Sequence, residues 1–64
     1  MIDMQAFAQW FAFYADKFNR ISDSALVGYW YMYGRESEDA APSARDAAAY
    51  AAVNAAIDDR DLQP

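Results

Sequence analysis

Cysteine and histidine are both absent from these 64 residues, and glycine and proline occur only twice each. Without cysteine there can be no disulfide, thiol chemistry, zinc finger or iron–sulfur cluster. Without histidine the chain lacks the commonest general base and the commonest transition-metal ligand. Lysine occurs once, at Lys17, and with Arg20, Arg35, Arg45 and Arg60 makes only five cations, too few to neutralise a run of phosphates. No apolar run approaches the roughly 20 residues of a membrane span. The segment from Met1 to Trp10 has no basic stretch and carries Asp3, unlike a secretory leader. The expected setting is the cytoplasm, with no direct nucleic-acid or membrane partner.

A chain this short buries only about 60% of its unfolded surface, so one small domain spanning 1–64 is expected. It has neither of the usual staples, disulfide or metal, and must rest on packing. The supply is generous, with four Phe, two Trp and five Tyr, each bringing roughly 150–250 Å² of buriable surface. The surplus of rings fits a monomer or a weak dimer.

Ten of the eleven aromatics lie at or before Tyr33, whereas all the net charge lies after Arg35. Residues 1–35 balance Asp3, Asp16 and Asp23 against Lys17, Arg20 and Arg35. Residues 36–64 set Glu36, Glu38, Asp39, Asp46, Asp58, Asp59 and Asp61 against Arg45 and Arg60, a net of −5. One half is built to fold and the other to present negative charge.

Periodicity predicts an all-α, three-helix domain with helices over about 3–20, 23–33 and 43–60. In the first, Phe7, Phe11, Tyr14, Phe18 and Ile21 form one stripe, Gln5, Gln9, Asp16 and Arg20 fall opposite, and Asp3 is the N-cap. Ser22-Asp23-Ser24 starts the second helix, and Gly34 is read as its C′ stop. Leu26, Tyr29, Trp30 and Tyr33 face inward, and Gly28 is read as a point of close approach. The aromatic and β-branched content of 25–33 also fits a strand, which would need an intermolecular partner. Ser43-Ala44-Arg45-Asp46 resembles a capping box. Behind it the third helix is almost all alanine, with a thin stripe of Tyr50, Val53 and Ile57.

No pattern names a reaction. Asp58, Asp59 and Asp61 lack the loop, hinge glycine and terminal Glu of an EF-hand, and so do Glu36, Glu38 and Asp39. A pair such as Glu38 and Asp46 needs a dry, shaped pocket to act as acid and base, and the serines have no histidine to activate them. No enzyme activity, catalytic residue, metal or cofactor is expected.

The acids remain. Those at a helix start are favourable, but Asp58, Asp59 and Asp61 sit at the negative end of the third helix, costing roughly 0.3–1 kcal/mol each. Features kept against local stability are where function is expected. Asp46 and Asp58 would stand ~18 Å apart along that helix, a spacing like that of phosphates on two strands. The expected interface is therefore Glu36, Glu38, Asp39, Asp46, Asp58, Asp59 and Asp61 on a basic protein surface, with Trp30 and Tyr31 as apolar anchors.

In size, acidity and lack of cysteine the whole chain resembles the small anti-CRISPR proteins of phages and mobile elements, those acting on type I systems. The resemblance is one of overall character, so no functional residue is carried over from it. It implies binding to the Cascade surveillance complex or its recruited nuclease in a host cytoplasm, blocking target DNA. The alternative from the residues alone is a structural or regulatory module, a homodimer or assembly subunit with the aromatic run 27–33 as its seam. An antitoxin-like or transcription-associated partner is a third reading, for which no DNA-reading helix is visible.

Overall fold

Each helix begins where a side chain can satisfy its free N–H groups. The Asp3 carboxylate accepts from the N–H of Gln5 at 2.9 Å and of Ala6 at 3.4 Å, opening α1 (Met4–Asn19). The Ser22 hydroxyl accepts from Ala25 N–H at 3.2 Å and opens α2 (Asp23–Tyr29), which widens into a π-helical turn over Trp30–Gly34. Ser43 opens α3 (Ala44–Asp59). There its hydroxyl accepts from Asp46 N–H and donates to the Asp46 carboxylate, both at 3.2 Å. These positions come from a computed structural model that describes residues 3–34 and 43–63. The described residues form a small all-α domain of three helices, and residues 25–33 are helical rather than a strand.

The chain runs up, down and up. Asp23 lies opposite Arg60, Trp30 opposite Asn54 and Tyr33 opposite Tyr50, the order that antiparallel elements give. Trp10 and Tyr14 meet Arg45 near the start of α3, whereas Phe18 meets Arg60 past its end. Thus α1 and α3 run in the same general direction and end together.

Both other elements pack on α3, which explains its composition. Ala47, Ala48, Ala49, Ala52, Val53 and Ile57 are all buried, so α3 is covered on several faces rather than along one stripe. Alanine is the residue that lets neighbouring helices close in from each side. The α1 stripe is divided: Tyr14 and Phe18 are buried, while Phe7, Phe11 and Ile21 are half-buried. From Tyr14 through Phe18, Tyr29 and Tyr33 to Tyr50, consecutive ring centroids stand 5.4–6.1 Å apart, within the range of favourable ring pairs.

The two glycines act differently from the sequence expectation. Gly34 does not adopt positive φ, so it is not a left-handed C′ residue. A Cβ there would fall inside the Trp30 indole ring, and the glycine is needed for that close contact. Gly28 is exposed, and a Cβ added to it meets nothing within 4 Å, so it makes no close approach to the described residues. Gly28→Ala should therefore stabilise the protein by about 0.5–1 kcal/mol, because Gly is poor inside a helix. A raised urea midpoint with unchanged slope would show this.

Candidate functional site

Every cation among the described residues is engaged. Arg20 pairs with Asp16 one turn away at 3.2 Å, in the open. Lys17 stands 5.1 Å over the Tyr29 ring. The Arg45 Nε–H donates to the Tyr14 hydroxyl at 3.0 Å while the guanidinium lies 4.9 Å over Trp10. That hydrogen bond raises the Arg45 pKa further above an already high value. Arg60 is the clamp of the fold: it donates to Asp23 at 2.9 Å and to the Phe18 carbonyl at 2.7 Å. It thereby ties the end of α1 and the start of α2 to the end of α3.

The acids divide accordingly. Asp3 caps α1, Asp46 accepts from the Ser43 hydroxyl that caps α3, and Asp16 and Asp23 have ion-pair partners. Asp58, Asp59 and Asp61 are exposed and make no ion pair among the described residues. They lie where α1 and α3 end together and α2 begins, so two negative helix ends and one positive one meet there. The result is a negative pole rather than a pair of separated clusters. Asp46 and Asp58 are indeed ~18 Å apart along α3, but they are also about 120° apart around it, and Asp46 is occupied by Ser43. Glu36, Glu38 and Asp39 lie outside the described residues.

Within the pole, Asp61 differs from its neighbours. It lies beyond the helix at φ 54°, the left-handed region that Asp tolerates better than most residues. Its N–H donates to the Asp58 carbonyl at 3.1 Å, and that of Leu62 to Ile57 at 3.0 Å. This is a Schellman closure, with Leu62 packed on the core as its apolar contact. Asp61 thus has a backbone role that the sequence reading, which set it against the helix dipole, did not see. Asp61→Gly should raise stability by about 0.5–1 kcal/mol, whereas Asp61→Val should lower it; thermal melts of the two variants moving in opposite directions would verify the closure.

Asp58 and Asp61 line an open depression of about 500 Å³ with Asn54, Ala55, Ile57, Leu62 and Gln63. Asn54 joins it to the aromatic segment. Its side-chain oxygen accepts from the Trp30 indole at 3.0 Å, and its amide donates to the Gly34 and Tyr50 carbonyls at 3.3 and 2.9 Å. Tyr31 stands edge-on to Trp30 at 5.3 Å and is 56% exposed. Of the expected interface residues, Trp30 is thus bonded to Asn54, Tyr31 stands against Trp30, and Asp58 and Asp61 share the depression with Asn54. Asp59 faces a separate groove between α1 and α3, beside Asp16.

Asn54 and Arg60 escaped the sequence reading. The signals were a lone amide in an alanine helix and a lone cation among Asp58, Asp59 and Asp61. Among the described residues no three acids converge as they would around a metal ion, and no helix is long and apolar enough to cross a membrane. No protein-family model, curated protein or solved structure matches the chain.

Proposed function

We propose that this protein is an acidic inhibitor that occupies a basic, nucleic-acid-binding surface of another protein. One observation carries the proposal: Asp58 and Asp59 make no ion pair among the described residues and lie where α1 and α3 end, a position in which each costs stability. Basic side chains of the partner would remove that cost on binding. Complementary charge would speed encounter and set orientation, while Tyr31 and Trp30 would supply the apolar anchor. The fixed helix end presents the acids without the entropy cost of ordering a loop.

The more specific form is an anti-CRISPR protein of a phage or mobile element, acting in the host cytoplasm on a type I Cascade complex and preventing target DNA from binding. It is supported by the chain's overall likeness to such inhibitors. The test is a mobility-shift titration of purified type I Cascade on its target duplex. Stoichiometric or modest excess of the protein should abolish the shifted band, and less effectively as salt rises. A band unchanged at large excess would remove the type I assignment.

Tyr31 and Met32, 56% and 64% exposed, favour a second reading, a homodimer or assembly subunit without inhibitory activity. Against it, Val27, Tyr29, Trp30 and Tyr33 pack on the core and leave little of the aromatic run for a seam. A salt-insensitive dimer in sedimentation equilibrium would support this alternative.

A further inference from the structure

Ala55 forms a ridge between the depression beside Asn54 and a second groove on the far side of α3. That groove, about 480 Å³, runs between α1 and α3; Phe11, Ala15, Ala52 and Ala56 make its apolar wall and floor, and Asp16, Asn19, Asp59 and Arg60 its lower end. It lies between two helices that run the same way, over alanines whose side chains leave the space above them unfilled. Phe11 is left half-covered, stacked on the equally half-covered Phe7 at 6.0 Å. The ring that should be core thus lines an open trough.

Charge indicates what the trough accepts. Arg60 is committed to Asp23 and the Phe18 carbonyl, and Arg20 to Asp16. Asp59 has no ion-pair partner among the described residues and stands where the carbonyl ends of both helices meet. The groove is therefore apolar along its length and negative at one end. From Phe11 to Asn19 it extends about 12 Å, or two turns of helix.

We propose that the α1–α3 groove seats an amphipathic helix of a partner protein. An aliphatic side chain lies over Phe11, Ala52 and Ala56, and a Lys or Arg one or two turns away meets Asp59. This is the helix-in-groove mode of recognition, read through residues at i, i+4 and i+7. It shares Asp59 with the inhibitor reading but not Trp30, Asp58 or Asp61, which lie across the Ala55 ridge, so failure of peptide binding at Ala15, Ala52 and Ala56 would overturn the groove alone.

The test uses the full chain and three synthetic peptides: a helical Leu/Lys peptide with leucines at i, i+3, i+4 and i+7, a scrambled peptide of the same composition, and a version with Glu for Lys. The patterned peptide should bind in fluorescence anisotropy and shift the amide resonances of Ala15, Ala52 and Ala56. Asp59→Lys should weaken it by about tenfold without lowering the melting temperature, since it removes an acid from a helix C-terminus. Ala15→Lys, checked for an intact melt, should weaken it comparably. Absence of binding, equal binding by the scrambled or Glu peptide, unchanged affinity in Asp59→Lys, or shifts confined to the Trp30 side would each overturn the proposal.

Discussion

Phe18→Ala is expected to leave the protein largely unfolded at room temperature. The ring is fully buried, with Tyr14 at 5.8 Å on one side and Tyr29 at 5.4 Å on the other. It lies where all three helices meet, directly below the Arg60 clamp that holds its own carbonyl. Truncating a buried Phe costs about 3–5 kcal/mol, comparable with the whole stability that a core of this size supplies. Phe11 occupies an equivalent place in the sequence stripe, yet it borders the α1–α3 groove and is only half-buried. Phe11→Ala should cost less, roughly 1–2 kcal/mol, and remain folded. Far-UV circular dichroism of the two variants at one temperature separates them. Equal loss of helix would show that the groove is closed and Phe11 is core.

Gly34→Ala is expected to be the damaging one of the two glycine-to-alanine changes. The new Cβ would lie within the Trp30 ring, and Trp30 has little freedom to retreat because its indole N–H is held by Asn54 at 3.0 Å. Either the ring swings out, losing that bond and its packing on the core, or the π turn unwinds. Both routes cost about 2–4 kcal/mol. In a Trp10→Phe background the remaining indole reports directly: its emission should shift to the red in Gly34→Ala and not in Gly28→Ala. The contrast between two glycines six residues apart, one stabilised by a methyl group and one disrupted by it, is a test of the π turn itself.

The helix starts were legible because Asp3, Ser22 and Ser43 cap by local bonds that depend on no other part of the chain. The last turn of the second helix was not, because its π geometry is tied to Asn54, twenty or more residues away. The thin stripe of α3 concealed its central place, since a helix covered on several sides needs small residues rather than an amphipathic pattern. At the site, the acids 58, 59 and 61 read as one cluster from the sequence. In the fold, a 100° step per residue sends Asp58 and Asp59 to different grooves, and the left-handed turn gives Asp61 a structural task. What no periodicity could supply was the common direction of α1 and α3, which turns scattered acids into one negative pole.

The most direct test of that pole is to compare the parent with Asp58→Asn/Asp59→Asn/Asp61→Asn in two measurements at once: thermal melting, and inhibition of Cascade–DNA binding across a salt series. Asn also tolerates the left-handed position at 61, so the fold should be unharmed. If the acids are the binding surface, the variant melts at the same or a higher temperature, inhibits more weakly, and loses much of its salt dependence. A variant that inhibits as strongly as the parent at every salt concentration would show that these acids are solvated surface, and would move the binding site to the exposed Tyr31 and Met32.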